Sequence, residues 1–83
     1  MLLKKGQVVR SLAGHDKGDF QTVLEVRGEL LVLCDGKRRS LEKPKQKKVK
    51  HVAPTKTILD ANKLVTNRAI RNALKQCNEN AQC

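Results

Sequence analysis

The chain is short, strongly basic and poor in aromatic residues. Its 83 residues carry 18 Lys and Arg against 8 Asp and Glu, which gives a net charge of +10 and a pI near 10.0. This length suits one small domain with a thin core. The charge indicates a polyanionic partner, and a single aromatic residue, Phe20, argues against a platform that stacks single-stranded bases.

The cysteines and the other reactive side chains do not form a recognisable site in the sequence. Cys34, Cys77 and Cys83 are odd in number and lack paired Cys-x-x-Cys spacing, so neither a zinc site nor a disulfide framework is predicted. The two His and two Ser residues fall in no known catalytic motif. We therefore expect no enzymatic activity, no metal and no cofactor.

Apolar runs are too short for a signal peptide or a membrane span. The sequence thus predicts a soluble cytoplasmic monomer without membrane contact.

The N-terminal part alternates short apolar runs with turn signals, which is typical of a small antiparallel sheet. A first strand is predicted at residues 6–12, and its alternation leaves open which face is buried. A second strand is predicted at 20–26. The unbroken apolar run at 30–34 predicts a strand covered on both faces, and Asp35-Gly36 predicts a hairpin turn into a charged edge strand at 37–41.

The segment after residue 42 is first strongly polar and then compatible with a strand. Residues 43–48 look too polar, and too interrupted by Pro44, for the interior of a strand. A last strand is predicted at 49–53, ended by Pro54, and residues 1–54 would form the domain. The pattern does not decide the conformation of residues 58–64.

A C-terminal extension over residues 55–83 carries helical periodicity. Apolar residues recur at helical spacing and predict a helix over 67–78 that docks on the sheet; these residues are Ile70, Ala73, Leu74 and Cys77. Thr66 is the predicted N-cap, and Val65 is predicted to pack on Ile70 as a hydrophobic staple.

The positive charge is concentrated in one stretch, which we call the basic strap (residues 37–50). It holds eight cations against Glu42 alone, a net of +7 out of the chain's +10. A charge that served only solubility would be spread over the surface, so the strap predicts a phosphate-binding segment. Composition does not distinguish RNA from duplex DNA.

The loop at residues 13–18 sets two glycines, Gly14 and Gly18, four positions apart around polar residues. Glycines at this spacing suit a tight turn. With its flanks, the stretch 6–18 followed by Val23-Leu24-Glu25-Val26 resembles the KOW motif. Three later stretches are similar to the bacterial KOW-domain RNA-binding proteins related to ribosomal protein L14e, so that the resemblance covers about residues 6–54; they are Asp35-Gly36-Lys37, Lys43-Pro44-Lys45 and Lys48-Val49-Lys50-His51-Val52.

The resemblance implies a mainly β fold, a small SH3-like barrel of about five antiparallel strands followed here by the C-terminal helix. It also implies binding of structured RNA, ribosomal RNA in particular, in a role linked to translation. His15 departs from the pattern, because relatives commonly have Arg there and His is mostly neutral near pH 7. The candidate RNA-binding residues are Arg10, Gly14, His15, Lys17, Gly18, Lys37, Arg38, Arg39, Lys43, Lys45, Lys47, Lys48, Lys50 and His51.

An alternative remains open at this point. KOW domains also serve as protein-interaction modules in transcription or ribosome assembly. In that case the apolar stripe of the helix would contact a protein partner, and it would stay exposed in the free chain.

Overall fold

The computed structural model describes residues 3–14, 17–36 and 39–80, and for residues 77–80 the backbone alone. Within these ranges the chain forms five strands, two short 3-10 turns and one helix. The strands are β1 (Gln7–Ser11), β2 (Phe20–Arg27), β3 (Leu30–Cys34), β4 (Lys45–Lys48) and β5 (Val52–Ile58); the 3-10 turns are Val49–His51 and Ala61–Lys63, and the helix is α1 (Asn67–Asn80).

The strands form one antiparallel sheet in the order β4-β3-β2-β1-β5. β4 and β5 lie at its two edges, although only the turn Val49–His51 separates them along the chain. Four residue steps from Lys48 to Val52 reach about 14 Å at most, whereas the outer strands of a flat five-stranded sheet lie about 19 Å apart. The sheet must therefore curl. The ladders of the described residues join the strands in this order and do not pair β4 with β5, so the sheet is curled, and closure of the predicted barrel stays a prediction.

Both faces of the sheet bury apolar side chains, which explains the ambiguous alternation of β1. Val8 and Val9 are both completely buried, on opposite faces. Val8 belongs to the core under α1, together with Cys34, Leu59, Ile70, Ala73 and Leu74. Val9 belongs to a second core inside the curl, together with Val23, Leu31, Leu33 and Val52. β3 contributes to both cores, as its unbroken apolar run predicted.

The edge strand predicted at 37–41 is wrong. In the described part of that prediction, Arg39 and Leu41 form bends and Ser40 has no regular structure; the edge strand is β4, inside the run predicted to be too polar for a strand. An edge strand pairs on one side only, so charged side chains suit it. Pro44 comes just before β4 and therefore removes no hydrogen bond from its interior.

The predicted last strand at 49–53 is also wrong in its bounds. Residues 49–51 form a 3-10 turn, and β5 continues through Pro54 to Ile58. β5 is an edge strand that pairs with β1, and an edge tolerates proline because alternate N–H groups point away from the partner strand. The undecided stretch after it contains the 3-10 turn Ala61–Lys63.

The predicted helix is confirmed and runs two residues further, to Asn80. Thr66 is its N-cap, because the Ala69 N–H donates to Thr66 Oγ1 at 3.1 Å. Val65 is 69% exposed, so the predicted staple with Ile70 is wrong. The apolar stripe packs against β2 and the 3-10 turn before α1, as expected. In the described ranges no helix is both long and apolar enough to cross a membrane.

Candidate nucleic-acid interface

The fold divides the basic strap between two surroundings. Residues 39–43 lie against the start of α1, whereas residues 45–51 form β4 and the following 3-10 turn and lie near the loop between β1 and β2. Lys37 and Arg38 lie outside the described residues. The charge that is continuous in sequence is therefore presented from two parts of the molecule.

The first part is formed by the β1–β2 loop and the 3-10 turn, which are joined by hydrogen bonds. The Leu12 N–H donates to the His51 carbonyl at 2.9 Å. The side chains of Lys17, Lys48 and Lys50 are exposed, and His51 is half-buried. We call Lys17, Lys48, Lys50 and His51 the loop surface.

The glycines of this loop serve its backbone geometry. Gly14 and Gly18 have φ of 87° and 90°, values that residues other than Gly rarely adopt. The Gly18 N–H donates to the Ser11 carbonyl at 2.8 Å, and the Lys17 N–H donates to the Gly14 carbonyl at 3.2 Å. These two amides are thus used within the loop, and Lys17 can offer a phosphate its ammonium. His15 lies outside the described residues.

An open groove of about 470 Å³ adjoins the same 3-10 turn. Lys48, Val49 and Lys50 line it together with Glu29 from the β2–β3 turn. The Val49 N–H donates to the Glu29 carbonyl at 2.9 Å, which ties the two turns together. An anion in this groove would meet two ammonium groups and one carboxylate.

Lys47 differs from its neighbours because its side chain points into the curl. β4 pairs Lys47 with Leu31, whose side chain lies in the inner core, and Lys47 is only 8% exposed. Its ammonium donates to Ser11 Oγ at 2.5 Å and to the Ala13 carbonyl at 2.9 Å. Lys47 therefore ties β4 to the end of β1. Lys45, on the same face of β4, is half-buried.

The second part of the strap is held by Asn67, the first residue of α1, a role that the sequence analysis missed. The Leu41 N–H donates to Asn67 Oδ1 at 2.7 Å, and Asn67 Nδ2 donates to the Glu42 carboxylate at 3.0 Å. The bond from Asn67 lowers the pKa of Glu42 below its usual value. The sequence shows an Asn directly after a good N-cap residue, but this position does not reveal that Asn67 bonds Leu41 and Glu42.

Gly36 lets the chain approach α1 closely. It is buried with φ of 77°, and a Cβ there would clash with the Asn67 carbonyl oxygen and lie 3.0 Å from the Arg71 nitrogen.

Arg39 and Lys43 are exposed in this part of the strap, and the Arg39 N–H donates to Asp35 Oδ1 at 2.9 Å. Arg10 is exposed on β1, where it pairs with Ala53 of β5.

Reactive side chains are few in the described structure. No group of three or more His, Cys, Asp or Glu residues in the described ranges could hold a metal ion. Cys34 is a buried free thiol, and burial is the largest cause that raises its pKa. A thiol of raised pKa has little thiolate at neutral pH, so Cys34 is a core residue and a poor nucleophile.

Comparisons with known proteins add no identification. No model of a known protein family matches the chain, and no curated protein matches it. The KOW resemblance consequently rests on the motifs quoted above, and it stays a prediction.

Proposed function

We propose that this chain is a non-catalytic RNA-binding protein that grips structured RNA mainly through its phosphates. The observation that carries the proposal is the contact between the KOW-like loop and the basic 3-10 turn, through the Leu12 N–H and the His51 carbonyl. This contact joins two segments, far apart in sequence, that the resemblance associates with RNA. A ribosomal or translation-linked RNA is the partner that the resemblance suggests.

Exposed cations supply the physical basis of the proposal. Among the described candidate residues, six cations are exposed, on the two parts of the strap, the loop and β1; they are Arg10, Lys17, Arg39, Lys43, Lys48 and Lys50. Lys and Arg side chains at a surface bind phosphates without reading sequence. Lys47 is left out of the proposed interface because its ammonium is engaged inside the protein.

Recognition by base stacking receives no support from the packing. Phe20, the one aromatic side chain of the protein, packs against the core under α1 and is partly buried. Shape and phosphate recognition of a helical RNA does not need aromatic side chains. The RNA we propose is accordingly a folded one.

The alternative of a protein-interaction module loses the surface on which it depended. Ile70, Ala73 and Leu74 are buried against the sheet, so this described part of the apolar stripe of α1 is not open to a partner.

The salt dependence of binding tests the proposal. If about five of the exposed cations contact phosphates, the slope of log K against log salt should be about −4.5 for a duplex. Fluorescence anisotropy with a labelled RNA hairpin, over roughly 0.05 to 0.3 M salt, measures this slope. The same stem as duplex DNA shows whether the protein prefers RNA. A nearly flat salt response would rule out the phosphate mechanism.

Lys17→Ala tests the loop within the same assay. The slope should become shallower by about one unit, and the free energy of unfolding should change by no more than about 0.5 kcal/mol, because the side chain is exposed. Lys5→Ala is the matched control, since it removes the same charge from another exposed site. Equal effects of the two substitutions would mean that the loop is only a turn.

A further inference from the structure

α1 presents a second stripe of side chains, on the side away from its apolar stripe. Arg68, Arg71 and Lys75 are all exposed and stand at spacings i, i+3 and i+7. At about 100° per residue these positions fall within an arc of about 60°, roughly opposite the buried stripe. The three charges also extend over about 10 Å of helix, at 1.5 Å rise per residue.

The stripe is badly arranged for stabilising the helix itself. Cations near a helix N-terminus are opposed by the helix dipole, which favours carboxylates there. Arg68 and Arg71 nevertheless occupy the first two turns, and the first turn holds no acidic residue. A merely solvated face would be better served by Asp or Glu at this end. An external anion bound to these side chains would offset their unfavourable interaction with the helix dipole.

The stripe is next to the second part of the basic strap. Gly36 lies against the backbone of Arg71, and Asn67 accepts a hydrogen bond from Leu41, so the segment that carries Arg39 and Lys43 adjoins the start of α1. We call these five exposed cations the helix surface: Arg39, Lys43, Arg68, Arg71 and Lys75. Among the residues whose side chains the structure describes, Asp35 and Glu42 are its neighbouring carboxylates, which leaves a net charge of +3.

We propose that the helix surface is a second contact site for the phosphate backbone of the same RNA. The inference rests on the proposed RNA-binding function and assigns α1 a direct part in it. A nucleic-acid duplex carries one charge per roughly 1.7 Å of its axis, so a stripe about 10 Å long faces several phosphates. The protein then holds one folded RNA at the loop surface and at the helix surface.

A triple substitution, Arg68→Gln, Arg71→Gln and Lys75→Gln, tests the proposal in the full chain. Gln keeps a similar helix propensity. Each lost phosphate contact is worth about fivefold in affinity near 0.15 M salt, so three contacts amount to about 100-fold and to a slope shallower by about 2.7 units. The probe is the labelled RNA hairpin, and urea denaturation of each variant verifies that folding is retained.

The matched control is Lys4→Gln, Lys5→Gln and Lys56→Gln, which removes the same charge from exposed sites outside both surfaces. We expect its slope to change by less than half as much. A third variant, Arg68→Lys with Arg71→Lys, keeps the charge and should retain the wild-type slope.

Three results would count against the inference. Equal slopes for the helix triple and the control triple would overturn it and leave the proposed function standing; an acidic protein would then be the better partner for this face. Loss of binding in the charge-keeping variant would also overturn it, because shape and not charge would matter. A flat salt response of the unaltered protein would remove the proposed function and this inference together.

Discussion

Lys47 and Lys48 are neighbours in β4 with the same charge, and they allow a direct comparison of an inward and an outward lysine. Lys47→Met keeps an aliphatic stem in the core but removes the ammonium that bonds Ser11 Oγ and the Ala13 carbonyl. Hydrogen bonds from a charged donor are worth about 1.5–3 kcal/mol each, offset in part because an ammonium is no longer buried. We expect a net loss of about 1–3 kcal/mol in the free energy of unfolding. Lys48→Met, at an exposed site, should change it by less than about 0.5 kcal/mol.

RNA binding should show the opposite order. Lys48→Met should make the salt slope shallower by about 0.9, and Lys47→Met should change it clearly less, since only the net charge differs. Urea denaturation and anisotropy on both variants give the two readouts. A double-mutant cycle with Ser11→Ala isolates the Lys47 contact, and a coupling of at least about 0.5 kcal/mol is expected. Unchanged stability with a reduced slope for Lys47→Met would mean that its ammonium reaches phosphate, which would refute the inward orientation.

Three further predictions concern the attachment of α1. Leu74→Ala should lower the free energy of unfolding by about 2–4 kcal/mol, because Leu74 is buried against the sheet, and a change below about 0.5 kcal/mol in urea denaturation would contradict that packing. Gly36→Ala should lower the free energy of unfolding more than Gly28→Ala does. Both glycines have positive φ, which costs an Ala about 1–2 kcal/mol, but only at Gly36 does the new Cβ meet the backbone of α1. Asn67→Ala should raise the pKa of Glu42 toward its ordinary 4.5, followed by NMR titration of the carboxyl. Because the pKa of Glu42 is lower in the folded protein than in the unfolded chain, the bond between Asn67 and Glu42 stabilises the fold at a pH above the pKa of the unfolded chain. This stabilisation is lost as the pH falls through the pKa of the folded protein. A Glu42 pKa that is the same in the variant as in the unaltered protein would show that the bond does not form.

Local patterns were sufficient for the elements whose periodicity is strong. The apolar stripe with its Thr66 cap predicted α1, and the unbroken run at 30–34 predicted a strand buried on both faces, because side-chain period and burial are directly linked. They missed β4 and gave the wrong bounds for β5. An edge strand needs few apolar residues, so the polar run around Lys45 did not indicate a strand, and the proline at 54 was taken as the end of a strand that continues to Ile58.

By itself, the sequence determined the charge, the mainly β class with a C-terminal helix, and the concentration of cations in residues 37–50. Only the tertiary structure decided which of those cations face the solvent. Lys47 turns inward because the register of β4 against β3 alternates its side chains between the two faces, and a one-residue change of register would have exchanged it with Lys48. Only the structure, too, brought Arg39 and Lys43 beside the stripe on α1, since Asn67 and Gly36 make contacts more than twenty residues away along the chain. Such long-range contacts leave no periodic signal in a sequence, because each depends on where the rest of the chain has already packed.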